Sequence, residues 1–448
     1  MNAAIRTRLS IMMFLQYVIW GAWLPQLSLY LGKYLEFSGG QIAWMLNAFA
    51  IASLTGWLFG GQLADRYFEQ SRFLAFSHLI GGVAMLGLAF TQTFWPMFTL
   101  MLVHCFFYVP TLSVTNAIAF ANLQDAQKDF GKVRVWGTIG WIAASWPFIF
   151  ILADWANIPT MAQAGGFVPW LGKVFGTAKT GAAMELALRS MFWVSAAVSL
   201  VLAGFCLTLP KTPPAKGQEG FAPLQSFKYL GIPAILVLFV VTFFDSLVHY
   251  CYFFWSGPFY SKMGLPENWV TASMSIGQIA EIATMAYLGY FLKRLGWRTT
   301  MILGVLGHVI RFGIYAVGSK YAGENFWIGM VLLSNIVHGF AYAFFFATVY
   351  IFVDENFPKD VRTSAQSLFN LLILGVGPLL GNSLWGGLGD RLTTVGADGV
   401  TKTTDFFTLF LVPLGFGIFS SLILILFFHP PKETAKPAKA PEPELAGV

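Results

Sequence analysis

Apolar residues along this 448-residue chain gather into runs of about 20, and short segments between the runs hold most of the charge. The runs lie at roughly 9–31, 41–63, 72–93, 96–118, 134–153, 188–209, 228–256, 268–292, 299–318, 325–351, 363–386 and 405–428. A hydrocarbon layer about 30 Å thick is crossed by about 20 residues of helix rising 1.5 Å each, so the pattern predicts twelve transmembrane helices. Lipid offers no water to open backbone groups, and the runs are too long and too evenly apolar for barrel strands; helices are the architecture that fits.

Composition agrees with that reading. The chain is 56% hydrophobic, 17% aromatic and 11% charged, with a mean hydropathy of +0.65, and a soluble surface of this size needs more charge. The net charge of +6 does not point to nucleic acid, because the cations sit between apolar runs instead of on one basic face. They set orientation. With the N-terminus inside, most of the 27 lysines and arginines fall in cytoplasmic segments, among them Arg6, Arg8, Arg66, Arg72, Lys132, Arg134, Lys293, Arg294 and Arg298. Both termini are then cytoplasmic. Met1 to Arg8 starts like a signal peptide, but Gln16, Trp20 and Trp23 follow with no small-residue cleavage site, so the segment stays as the first span. Cys105, Cys206 and Cys251 lie in apolar runs without metal spacing and read as core residues.

The chain divides near its middle. A Pro- and Gly-rich stretch from Leu209 predicts an N-terminal six-helix half over 1–209, a cytoplasmic linker over 210–227 and a C-terminal six-helix half over 228–429. The tail, 430–448, is rich in Pro, Ala, Glu and Lys and reads as disordered. A weak internal repeat supports the halves. After the second span comes Gly61-Gln-Leu-Ala-Asp65-Arg66, and after the eighth Gly289-Tyr-Phe-Leu-Lys293-Arg294-Leu-Gly296-Trp-Arg298. A small residue lets helices approach and the charges then form an inner-face latch; the plainer reading is positive-inside flanking of a helix end. At equivalent places in twelve spans, the two stretches resemble the gating motif of the major facilitator superfamily, although the first lacks the Gly-Arg-Arg continuation.

Polar residues inside the spans carry the candidate chemistry. On the eighth span Ser275, Gln278 and Glu281 recur every third residue and share a face, with Glu281 near mid-membrane, where a carboxylate costs several kcal/mol. They suit a ligand with hydroxyl or ring-nitrogen donors, or else a structural bond to an adjacent span. On the fifth, Arg134, Thr138 and Trp141 place a cation, a hydroxyl and an indole on one stripe; positive-inside anchoring and helix packing are the alternatives. Gln16, Trp20 and Trp23 share a face of the first span and favour cavity lining over a membrane-edge belt. The seventh carries Asp245, His249 and Tyr252 on one stripe, Asp245 and His249 being a proton relay or a self-neutralising pair, with Tyr250 and Phe253 around them. His308 and Arg311 on the ninth read as structural, through a buried acid, and Asn335, His338 and Tyr342 stripe the tenth.

These residues converge on a central cavity, and none supplies an enzyme's constellation. Zinc spacing, a nucleophile elbow and a phosphate-binding Gly-rich loop are all missing from the sequence, so no cofactor and no metal are expected. Without an ATPase motif, gradient-driven transport is favoured.

The blocks Phe14-Leu-Gln16-Tyr-Val-Ile-Trp20-Gly21, Arg134-Val-Trp136-Gly137-Thr138-Ile-Gly140, Met274-Ser-Ile-Gly-Gln278-Ile-Ala-Glu281 and Gly339-Phe-Ala-Tyr342 resemble the bacterial nucleoside:proton symporter family of that superfamily. The resemblance implies nucleoside import by proton symport, with a lipid bilayer and a small-molecule substrate as partners and a monomer sufficing. It implies that Arg134, Thr138, Gln278 and Glu281 contact the nucleoside, with Trp141 near the base. Two departures stand out. Ala343 occupies the place where the family's tenth span continues to an Asp, which removes a proton carrier and leaves coupling to Glu281, with Asp245, His249 or His338 sharing it. Tyr250 and Phe253 stand where seventh-span amides are expected, giving a more aromatic pocket. A sugar or other hydroxylated-metabolite symporter is the neighbouring reading, and a non-transporting membrane sensor the reading from another class.

Overall fold

The computed structural model describes residues 3–56, 68–123, 126–213, 223–357, 359–398 and 402–430. Helix α1 runs Ala3–Leu29 into a π-helical turn, Tyr30–Tyr34. It is followed by α2 (Gly39–Thr55), α3 (Gln70–Leu88), α4 (Phe94–Asn122), α5 (Ala126–Ser145) and α6 (Ser190–Cys206). In the second half come α7 (Pro233–Met263), α8 (Val270–Gly318), α9 (Asn325–Asn356), α10 (Lys359–Asn370, then through a π stretch into Gly377–Leu392) and α11 (Phe406–Phe427). Eight of the described helices are long and apolar enough to cross a membrane. α8 holds two predicted windows, 268–292 and 299–318, and turns between them at Gly296, whose φ of +73° suits a residue without Cβ. Windows 9–31 and 134–153 match α1 and α5, and window 41–63 begins as α2 and runs past Thr55 beyond the described residues.

Helix starts follow local chemistry. Ser38 and Gln41 form a capping box on α2, and Asp405 accepts from the Thr408 amide at the start of α11. Two features depart from the sequence reading. The stretch after α5 folds into short helices, Phe167–Gly176 and Gly181–Leu188, and an antiparallel hairpin pairs Thr393–Val395 with Lys402–Thr404. Runs this short carry no 20-residue hydrophobic signal. The end of the predicted linker is likewise ordered, as the 3₁₀ helix Pro223–Gly231.

Glycines set the distances between the helices that carry the polar stripes. A Cβ on Gly140 of α5 would lie 2.2 Å from the Phe14 carbonyl of α1, and one on Gly339 of α9 would lie 2.3 Å from the Glu281 amide of α8. Neither contact leaves room for a side chain.

The halves are tied at the far end of the bundle, where α1 ends and α2 begins. Lys33 bonds the Glu267 carboxylate and donates to Ser261 Oγ at 3.1 Å, while Tyr34 donates to Glu267 at 2.5 Å. Asp390, at the end of α10, accepts from the Gly39 and Gly40 amides of α2 at 2.6 and 2.9 Å. Thr271 of α8 donates to the Ser145 carbonyl of α5 at 2.9 Å. At the near end, Gly289 is exposed, Arg294 bonds the Tyr290 hydroxyl one turn back, and Arg298 donates to the Ile425 carbonyl within its own half. Gly61, Asp65 and Arg66, the other copy of the repeat, and the tail 431–448 lie outside the described residues.

Candidate functional site

An aromatic seam crosses the molecule between the halves. Trp20 of α1 stacks on Phe49 of α2 with centroids 4.8 Å apart, and meets Trp141 of α5 edge-on at 5.2 Å. Trp141 in turn meets Phe253 of α7 at 6.4 Å. A cavity opens along this seam, walled by Trp20, Trp23 and Phe49 from one half and by Tyr250, Phe253 and Asn382 from the other. The edge-on contacts of Trp141 with Trp20 and Phe253 follow from the ring quadrupoles, while Trp20 and Phe49 lie face to face.

The polar stripes stand beside the seam. Arg134 lays its guanidinium over the Tyr17 ring at 4.4 Å, a cation–π contact that holds it in place without consuming its N–H donors. It lies within electrostatic reach of Glu281, as does Tyr342. Glu281 is partly exposed. Gln278, one turn before it, is buried with its Oε1 unpartnered among the described residues. Tyr342 opens a π-helical stretch, Tyr342–Ala347, a widening of the helix that is common at functional positions. Thr138 is half-buried, three residues before Trp141. Arg134 of α5 and Glu281 of α8, from opposite halves, are thus within reach of one another, with Trp141 in the aromatic seam and Gln278 one turn from Glu281.

Other residues singled out from the sequence are placed differently. Gln16 is wholly buried, donating to Thr111 Oγ1 at 2.7 Å and bonding His78 Nε2 at 2.7 Å, so its amide is spent inside the N-terminal half. Ser275 is turned back onto the Ala272 carbonyl. Asp245 faces His308 at 3.6 Å, not His249. His249 instead stacks on His338, with centroids 5.0 Å apart and planes at 17°. The i, i+4 spacing on α7 suggested the wrong partner because α8 delivers a histidine from across the helix interface.

The sequence reading passed over Asn47 and Asn382. Asn382 donates to Asn47 Oδ1 at 3.1 Å, and Asn47 to Ser383 at 3.0 Å, bridging α2 and α10 beside the cavity. Each is an amide inside an apolar run, the same signal that exposed Gln278. The three cysteines are buried and free.

A family model described as nucleoside H+ symporter matches residues 1–164 and 161–433. The chain is 33% identical over 393 residues to the putative nucleoside transporter YegT of Escherichia coli K12, covering 86% of this chain and 84% of that one. It is 28% identical over 451 residues to the xanthosine permease of the same organism, covering 96% and 98% of the two chains. The fold superposes on the crystal structure of nucleoside transporter NupG with a TM-score of 0.77 at 26% identity, over 96% of this chain and 99% of that one.

Proposed function

The chain belongs to the nucleoside H+ symporter family, and from that premise we propose that it imports nucleosides by proton symport through alternating access of its two halves. It has the major facilitator fold and is a multi-pass membrane transporter, not an enzyme. The observation that carries the reading is the meeting of α5 and α8 across the seam. Arg134, on the same helix as Thr138 and Trp141, lies within electrostatic reach of Glu281, and Gln278, one turn before Glu281, has an unsatisfied acceptor. An unpaired buried acceptor costs about 1–3 kcal/mol, which a ligand donor recovers.

In this reading the base lies against Trp141, inside the aromatic wall of Trp20, Tyr250, Phe253 and Tyr342. The ribose hydroxyls and ring donors bond Gln278 and Glu281, and Arg134 and Thr138 donate to carbonyl or ring-nitrogen acceptors. Gln16 supports Trp20 from beneath. Glu281 exchanges its proton with the two sides as the halves rock, so that substrate and proton cross together. The halves are 1–209 and 228–429, joined by 210–227, in a bacterial inner membrane with both termini cytoplasmic. The tied far end is then periplasmic and this conformation faces inward.

Uptake of labelled uridine or adenosine into proteoliposomes under an inward proton gradient tests this. The expected result is accumulation above equilibrium that collapses with a protonophore and is not competed by sugars. Gradient-independent equilibration, or competition by hexoses, would count against it.

A further inference from the structure

Arg311 of α8 is wholly buried, and among the described residues no carboxylate pairs directly with its guanidinium. A buried cation needs a compensating charge close by. Asp245, also wholly buried, is linked to Arg311 through a histidine. His308 Nδ1 lies 3.0 Å from Arg311 Nη2, and His308 Nε2 lies 3.6 Å from Asp245 Oδ1. The other guanidinium nitrogen, Nη1, is 2.5 Å from His338 Nδ1. Arginine donates and does not release its protons, so both histidines accept at Nδ1. The His308 hydrogen then sits on Nε2, toward Asp245. Among the described residues neither carboxylate oxygen of Asp245 has a partner within hydrogen-bond distance.

We propose that Asp245 and His308 form an internal proton site of this transporter, second to Glu281, whose occupancy is passed to the substrate helix through Arg311 and His338. One proton converts the Asp245 carboxylate to the acid, and the cluster goes from neutral, with Asp245 negative and Arg311 positive, to one net positive charge. His308 cannot take that proton at Nδ1 without giving up its bond to Arg311. The titratable groups near His308 are His249 on α7, Arg311 on α8 and His338 on α9, and Arg311 in turn is surrounded by Cys251, Tyr252 and Tyr260 of α7 and Tyr315 of α8. α11 packs Phe416 and Phe419 on Phe244 and brings no charge.

The link to substrate is physical contact. A Cβ on Gly277, the residue before Gln278, would lie 3.0 Å from His338 Cδ2, so the imidazole rests against the substrate helix. On the other side His249, stacked on His338, meets Phe253 at 5.3 Å, and Phe253 walls the cavity. An Arg311 that loses its counter-charge therefore pulls on a histidine wedged between both walls of the site. Because Asp245 is sealed here, loading and release of its proton require the halves to move, as coupling demands.

The proposal rests on the symport reading, and proteoliposome measurements on the full chain separate the two. Wild-type protein that shows no gradient-driven uridine accumulation overturns the symport reading and this one with it. Given wild-type accumulation, Asp245→Asn is expected to lower it about tenfold and to abolish the uridine-evoked signal of a trapped pH dye, while uridine exchange, which moves no net proton, falls by less than about threefold. Asp245→Glu should restore part of the accumulation and the dye signal. Should Asp245→Asn fail to insert and elute as a folded species, His308→Asn carries the same comparison. Accumulation and dye signal at wild-type level in these variants, or parallel loss of exchange and accumulation in a folded variant, would overturn the proposal.

Discussion

At the scale of single residues, the side chains that matter are the ones that are costly where they sit. Glu281 is a carboxylate within reach of Arg134 and without a protein hydrogen bond among the described residues, and Gln278 holds an acceptor that the fold leaves open. Gln16 has the same chemistry and spends it internally on Thr111 and His78. Sequence alone does not tell the open glutamine from the spent one, because spacing gives a helix face but not what lies against it. The expectation for Glu281→Gln follows: accumulation is lost while the protein still inserts and folds, since the amide keeps size and polarity but carries no exchangeable charge. Proton-driven uptake alongside a detergent thermal-unfolding curve measures both, and normal accumulation would remove Glu281 from coupling.

At the scale of helices, close approach decides geometry. Gly339 holds α9 against the Glu281 amide, so Gly339→Ala collides with backbone, not with a flexible side chain. Overpacking of this kind costs about 1–3 kcal/mol, and the variant should show a lowered thermal midpoint together with weakened nucleoside binding by calorimetry. Helix α11 offers a pH-dependent test outside the membrane. The hydroxyl and amide of Thr408 hold the Asp405 carboxyl below its ordinary range. A carboxylate depressed in the folded state stabilises fully above its unfolded value, about 4, and that contribution is lost as the pH falls through the folded value. Asp405→Ala should therefore destabilise by about 0.5–2 kcal/mol at neutral pH, with the difference from wild type shrinking below about pH 4. Equal differences at pH 7 and pH 3 would exclude the cap as its cause.

At the scale of the whole molecule, the two halves meet through a far-end clasp of Lys33 with Glu267 and Asp390 with the first amides of α2. Those amides belong to the four a helix leaves open at its N-terminus, so Asp390 satisfies them only while that end is shut. Asp390→Ala should shift the population toward the outward-open form. A cysteine replacing Leu46, on the cavity wall behind the clasp, should then react several-fold faster with an impermeant maleimide added outside, with buried Cys105, Cys206 and Cys251 contributing little. Unchanged labelling would mean that the clasp does not gate. The sequence by itself determined the class and the family, because hydrophobic periodicity and short motifs act locally and survive without knowledge of neighbours. It also marked Arg134, Trp141, Gln278 and Glu281 as polar or aromatic residues in costly places. Only the tertiary structure decided that Asp245 answers His308 and Arg311, that Gln16 is consumed within its own half, and that Asn47 and Asn382 join α2 to α10. Those choices depend on which helix faces meet across long sequence separations, and a residue's partner there is set by packing, not by spacing along its own helix.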